Sequence, residues 1–294
     1  MRIGVNLPSD CGGASGELLL DWARRADEGP FATLAVTDRL AWSTYEPFAV
    51  LAAAAAVTRR LQLMTAIAIA PLRCAAMLAK SAATVDALCG GRLTLGLGIG
   101  PRQSDYAVAG VDWKSRGRRF GELLGELRGY WEEGSAVGPR PARRGGPKLL
   151  VGGLSDHALA RMARHADGYV HGGGPPRAFA WAAERARAAW VDCGRPGRPE
   201  VFGQGYFALG GAAAAKAGAR HLRSYYEFLG PFADKIAAGL LTTPQAIVQY
   251  VRGYEEAGCD ELLLFAAVPD PAELTRLRDV IGPFVSSAVQ EIPA

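Results

Sequence analysis

Two short runs carry the clearest chemical meaning in this chain. Gly152, Gly153, Leu154 and Ser155 lie between an apolar run and a helix-forming one, and His171, Gly172, Gly173 and Gly174 recur in the same setting. At a helix start the first backbone N–H groups lack partners and the dipole favours negative charge. Each run alone reads as a mere turn, but two at neighbouring strand ends would cradle a phosphate. His171 stands inside the second run and is the titrating candidate for acid–base work, with a packing role beside the phosphate as the alternative. Arg39, next to Asp38, is permanently cationic: it can stabilise an anionic ligand or a substrate carboxylate but cannot act as a base. A salt bridge to Asp38 is its structural alternative. Trp42 can stack on a flat ligand or pack in the core. Gln103 and Ser104 are candidate substrate contacts in an expected loop that Asp105 and Tyr106 hold in shape.

The elements that must position these residues are legible around Thr84 to Gly100. Val85 and Leu88 continue an apolar helical face, Gly90 and Gly91 stop it, and Leu93, Leu95, Leu97 and Ile99 alternate with small residues in a strand. Gly98, Gly100 and Pro101 at the end of that strand leave room for a flat ligand, or for close packing of a neighbouring element. Seven further strands are expected, at Arg2 to Leu7, Ala32 to Thr37, Leu61 to Ala70, Lys148 to Val151, Gly168 to His171, Val201 to Leu209 and Glu261 to Phe265. Helices alternate with them, among them Leu18 to Ala26 capped by Ser15, Leu72 to Leu88, Arg116 to Trp131 and a run from Thr243 to Ala257 stopped by Gly258. Gly134 to Gly146 reads as an exposed loop. Ala212 to Leu241 is helical with an irregular period, so part of it is expected to be an insertion. Eight strand–helix units predict a single α/β domain over residues 1–294, a (β/α)8 TIM barrel with loop and helical insertions. An open doubly wound sheet is the alternative, but PSDCGGASG in the first turn lacks the dinucleotide fingerprint. In a barrel, function collects at the C-terminal strand ends, where the residues above fall.

Composition narrows the classes. With 49% hydrophobic and 21% charged residues and a net charge of +4 spread among acids, the 294-residue chain has a sizeable core and no nucleic-acid signature. Five separated cysteines without a CxxC pair argue for a reducing compartment and against a zinc site. No signal peptide or membrane-length apolar run is read, so a cytoplasmic protein is expected.

The segment from Thr65 to Gly100, TAIAIAPLRCAAMLAKSAATVDALCGGRLTLGLGIG, resembles the luciferase-like flavin-dependent oxidoreductases. Asp105, Tyr106, Gly110 and Arg116-Gly117 match in order, as do VGGLSDHALARMARHADGYV and TPQAIVQYVRGYEEAGCDELLL, so the likeness covers most of the chain. It implies a barrel holding reduced FMN, or in one branch the 8-hydroxy-5-deazaflavin coenzyme F420, with substrate over the ring. The family's bulged third strand, often with a cis non-prolyl peptide, falls at Ala66 and Ile67. Its phosphate positions fall on Gly152, Gly153, Leu154, Ser155, His171, Gly172 and Gly173. Three positions depart from the pattern: Arg39 stands where a histidine is frequent, Pro101 and Ser104 replace a glutamate and an asparagine of some deazaflavin members, and an FMN-phosphate arginine is missing near Ile99. The resemblance favours a monooxygenase using reduced FMN and oxygen on a small organic substrate, with a flavin reductase as partner. F420-dependent hydride transfer and a non-catalytic barrel serving as a binding subunit are the alternatives. The Ala-rich second helix suggests a homodimer.

Overall fold

The computed structural model describes residues 1–285, so positions 286–294 of the expected domain lie outside the described residues. Eight parallel strands follow one another around a closed barrel. They are β1 (Arg2–Asn6), β2 (Thr33–Val36), β3 (Gln62–Ile69), β4 (Leu93–Gly98), β5 (Lys148–Gly152), β6 (Gly168–Val170), β7 (Glu200–Phe207) and β8 (Glu261–Ala266). Between them run α1 (Gly16–Glu28), α2 (Pro47–Val57), α3 (Ala75–Leu88), α4 (Gln103–Ala109), α5 (Arg116–Leu127), α6 (Asp156–His165), α7 (Pro176–Asp192), α8 (Gly211–Tyr225), α9 (Phe232–Ala238) and α10 (Pro244–Glu256), with α11 (Ala272–Val285) last. The open-sheet alternative is thereby excluded.

Local signals explain where the helices start. The hydroxyls of Ser15, Ser155 and Thr243 accept the backbone N–H groups of Leu18, Ala158 and Ala246, and Pro47 and Pro244 open their helices with the φ angle a first turn needs. Leu19, Trp22, Ala23 and Ala26 form the buried face of α1 against the barrel. Most of the core lies in this layer between strands and helices, whereas the barrel interior is filled by a small cluster that includes Ala35, Met64, Leu150, Val170, Phe202, Leu263 and Phe265. Closure is pinned at the functional end by Asn6, whose side-chain amide accepts from Ala266 N at 2.8 Å and donates to Ala266 O at 3.4 Å.

Three expectations are corrected. Gln103 to Tyr106 open helix α4 instead of lying in a loop. Helix α3 starts at Ala75 and not at Leu72, because Pro71 sits in a 3-10 turn over Ala70–Leu72. The helix expected to reach Trp131 ends at Leu127 and is followed by a 3-10 turn at Gly129–Trp131. The irregular stretch after β7 is α8, a 3-10 turn at Glu227–Leu229 and α9, with Gly230 (φ 55°) and Pro231 breaking the helical period.

Candidate functional site

The register between β3 and β4 shifts between Thr65 and Ala68, and the Ala66–Ile67 peptide is cis, where the resemblance put it. The bulge explains the glycines of β4 and its exit. A Cβ on Gly96 would lie 2.1 Å from Thr65 O, one on Gly98 2.9 Å from Ile67 Cδ1, and one on Gly100 2.8 Å from Ile69 Cγ2. Every second residue of the bulged strand thus rests on a missing side chain of its neighbour. Close packing thus accounts for these glycines, and Gly98 and Gly100 also line a cavity of about 560 Å3 at the C-terminal end of the barrel.

That cavity is walled by Ala66 and Ile67 on β3, by Gly152 at the end of β5 with Gly153 and Leu154 after it, and by Val170 and Gly172 at the end of β6. The two glycine runs therefore meet across one space. Gly153 has φ +129°, and a Cβ there would fall 2.7 Å from Ala158 Cβ at the start of α6. Ser155 is spent on capping α6, and Arg185 holds the Leu154 carbonyl at 2.8 Å. On the other side Gly173 has φ +96°, and the Tyr254 hydroxyl of α10 donates to Gly174 O at 2.9 Å, fixing the loop that leads into α7. Trp113 and Arg116 complete this wall, with the Arg116 guanidinium 3.8 Å from the Trp113 ring centroid. Neither was assigned a role from the sequence, although Arg116 belongs to the Arg-Gly pair that carried part of the resemblance.

A second chamber of about 210 Å3 shares Ala66, Ile67, Gly100, Pro101, Gly172 and Gln204 with the first. Its further walls include Asp38, Arg102, Tyr206, Tyr225 and Tyr226. A third cavity, about 620 Å3, continues from Gly172 past Tyr206 and Tyr226 toward Arg177 and Lys235. The tyrosines at the end of α8 were invisible to strand-end reasoning, since they arrive on an insertion.

The remaining candidates fall into two groups. Asp38 is at the chamber wall, but its carboxylate accepts the Ile69 amide at 2.9 Å and pairs with Arg73 at 3.0 Å. Arg39 is therefore not its partner, which corrects that alternative. Instead Arg39 and Arg102 both donate to Tyr225 O, at 3.1 and 3.2 Å, at the C-terminus of α8, where cations suit the helix dipole. The Arg39 guanidinium lies 4.1 Å from the Trp42 ring centroid, and that indole donates to Asp10 O. Burial, with the Arg102 charge beside it, lowers the Arg39 pKa, yet neither arginine has a carboxylate ion pair among the described residues. Both Nε atoms lack a hydrogen-bond partner.

His171 is buried between Tyr169 and Phe179, and its Nε2 has no hydrogen-bond partner. Burial lowers its pKa, opposed by a hydrogen bond at Gly173. No hydrogen bond or ring contact joins His171 to Arg39 among the described residues, and neither is among the residues that line the two chambers. Gln103 and Ser104 are exposed on α4, and Pro101 and Arg102 form the chamber wall in their place. Asp105 and Tyr106 do hold this segment: Asp105 accepts the Ala41 amide at 2.7 Å, and the Tyr106 hydroxyl donates to Ile99 O, its pKa pushed up by burial to about 12.

The luciferase-like monooxygenase family model matches residues 1–240, and the chain belongs to that family. An uncharacterised protein of Mycobacterium tuberculosis, Rv0940c, is 39% identical over 142 residues, 45% of this chain and 49% of that one. The pyrimidine monooxygenase RutA of Stutzerimonas stutzeri is 33% identical over 172 residues, 51% of this chain and 47% of RutA. The matches thus span about half the length of these curated relatives. Among solved structures, the monooxygenase RslO1 of Streptomyces bottropensis superposes with a TM-score of 0.82 at 21% identity, over 98% of this chain and 100% of that one. An F420-dependent secondary alcohol dehydrogenase gives 0.77 at 16% identity, over 96% and 99%. The oxygenating constituent of 3,6-diketocamphane monooxygenase from Pseudomonas putida, in complex with FMN, gives 0.75 at 16% identity, over 98% of each chain. At such identities the structural likeness is one of fold. No helix among the described residues is long and apolar enough to cross a membrane.

Proposed function

We propose that this chain is a flavin-dependent monooxygenase that uses reduced FMN and oxygen on a small organic substrate, with a separate reductase supplying the reduced flavin. The observation that carries the reading is the shared wall of the two chambers: a glycine-lined cavity fit for a flat phosphorylated ligand opens directly onto a smaller chamber with cationic and phenolic walls. The fit is specific at Gly153, where a side chain would collide with the start of α6. Gly152, Gly153, Leu154, Ser155, His171, Gly172 and Gly173, with Arg116 beside them, would hold the phosphate end, and Ala66 and Ile67 would support the ring. Reduced FMN, when bound, supplies two electrons for oxygen activation.

The protein's own part is positioning and exclusion of water. Arg39 cannot accept a proton, and its contact with Tyr225 O makes it a positioning residue for the α8 end of the chamber. His171, neutral through burial, shapes the phosphate loop. Arg102 and Gln204 offer the polar contacts to substrate at the chamber wall. RutA acts on pyrimidines, so uracil is the first substrate to try. The test is oxygen uptake by the protein with reduced FMN and a panel containing uracil: substrate-dependent uptake with one oxygen atom from labelled oxygen in the product supports the reading, and uptake that no substrate alters contradicts it.

F420-dependent hydride transfer is the second reading, favoured by one observation. The third cavity prolongs the site past Gly172 to Arg177 and Lys235, room and charge for an anionic tail longer than that of FMN. Saturable F420 binding that is lost on replacing Lys235 and Arg177 by alanine together, with no FMN binding, would select it.

A further inference from the structure

Away from the glycine-lined cavity, three metal-ligating side chains converge where the insertion meets the barrel. Asp10 and Cys11 lie in the loop between β1 and α1, and His221 is on α8. Their ligand atoms all lie within 4.8 Å of one another, with His221 Nε2 3.7 Å from Asp10 Oδ2 and 3.9 Å from Cys11 Sγ. We propose that Asp10, Cys11 and His221 form a binding site for a borderline-soft divalent metal of the zinc type, which clamps the α8 insertion to the rim of the barrel.

Hydrogen bonding alone accounts poorly for this spacing. A carboxylate paired with an imidazolium closes to about 2.7–2.9 Å, well inside the observed separation. Both contacts also converge on the same ring nitrogen, whereas a proton relay through a histidine uses the two nitrogens in turn. Atoms arranged tetrahedrally around zinc, with bonds of about 2.0–2.3 Å, sit roughly 3.3–3.6 Å apart, so the two contacts to His221 Nε2 need a contraction of a few tenths of an ångström and the Asp10–Cys11 side, within 4.8 Å, closes by rotation of the two side chains on their loop. The independent sign is Asp10 itself. It is 3% exposed, its Oδ1 has no hydrogen-bond partner, and no arginine or lysine forms an ion pair with it among the described residues. A carboxylate that deep is costly unless it is paired, hydrogen-bonded or protonated, and a divalent cation in this cluster would pair it.

The loop is held in place for such a role. Trp42 Nε1 donates to Asp10 O, Thr44 Oγ1 donates to Ser9 O, and Cys11 N donates to Pro8 O. His221 is 13% exposed and gives access from solvent. A thiolate, an imidazole and a carboxylate select zinc-like ions and disfavour magnesium and calcium, and three protein ligands leave a fourth position for water. On binding, the Cys11 S–H bond breaks, its proton passes to solvent, the contact from Sγ to Ala266 O at 3.8 Å is given up, and no electron is transferred. Because Tyr225 ends the same helix and walls the second chamber, occupancy would fix that wall.

The experiment is a titration of the chelator-dialysed full chain with Co2+, followed by Zn2+. The expected result is a near-ultraviolet thiolate-to-cobalt band that saturates at one ion per chain and is bleached by Zn2+. Cys11→Ser should abolish the band, His221→Ala should weaken affinity at least about tenfold, and Zn2+ should raise the thermal midpoint of the wild type but not of Cys11→Ser. Absence of the band, or a band that survives Cys11→Ser because exposed Cys74 or Cys193 supplies the thiolate, overturns the proposal.

Discussion

At Gly153 a single hydrogen in place of a side chain decides whether the loop after β5 can keep its path beside α6. Its φ of +129° and the 2.7 Å approach of a would-be Cβ to Ala158 mean that Gly153→Val must move either the loop or the start of α6. Flavin affinity, read by fluorescence quenching, is expected to fall at least about tenfold, or ~1.4 kcal/mol. Unchanged affinity would remove this loop from the site. His171 gives a prediction about pH. Burial depresses its pKa in the folded chain, so as pH falls below about 6.5 the unfolded chain takes up a proton that the native state refuses. Its contribution to stability is therefore complete above that pH and is lost as pH falls toward the depressed folded value. His165 acts with the same sign, so the informative comparison is between wild type and His171→Gln. The thermal midpoint of the variant is expected to depend less on pH between 6.5 and 5, and equal slopes would contradict the assignment.

At the level of elements, the insertion formed by α8, the 3-10 turn and α9 is tied down by Arg39 and Arg102 at one helix end. The Arg102 guanidinium lies 4.2 Å from the Tyr225 ring centroid and 4.6 Å from that of Phe228. Arg102→Ala removes a buried hydrogen bond and three cation–π contacts, to Tyr225, Tyr226 and Phe228, expected to cost on the order of 1–3 kcal/mol of local stability. Hydrogen exchange should accelerate across residues 211–229 and stay unchanged in β1 to β6. Acceleration everywhere would point to a global role. This element also shows where sequence reading reached its limit. Strands such as β4 and helices such as α1 were legible because alternation, caps and glycine stops act locally. Tyr225 and Tyr226 reach the chamber only through tertiary packing of a segment with broken period, and nothing local marks them. Gln103 and Ser104 were misplaced for the opposite reason: Pro101 suggests a loop, but Asp105 and Tyr106 are anchored to Ala41 and Ile99 and set a helix there. The glycine runs were legible as strand-end turns into helices because positive-φ glycines and a capping Ser155 act locally, and the cavity they line is formed only by barrel closure.

Across the whole molecule, a closed barrel gathers at one rim what the chain scatters over more than two hundred residues. Closure rests partly on Asn6, 1% exposed and bonded twice to Ala266. Asn6→Leu leaves the Ala266 N–H without its side-chain acceptor and the carbonyl with only the long contact from Cys11 Sγ, and is expected to lower global stability by about 1–3 kcal/mol, seen as a lower urea midpoint with an unchanged slope. The central claim is that this rim binds a flavin-type cofactor in the glycine-lined cavity. The most direct measurement is a parallel equilibrium titration of the purified chain and of Gly153→Val with FMN and with F420, followed by visible absorbance. The account predicts saturation at one equivalent with FMN for the wild type and at least tenfold weaker binding for the variant. Uptake of neither cofactor, or equal affinity in the variant, would contradict it.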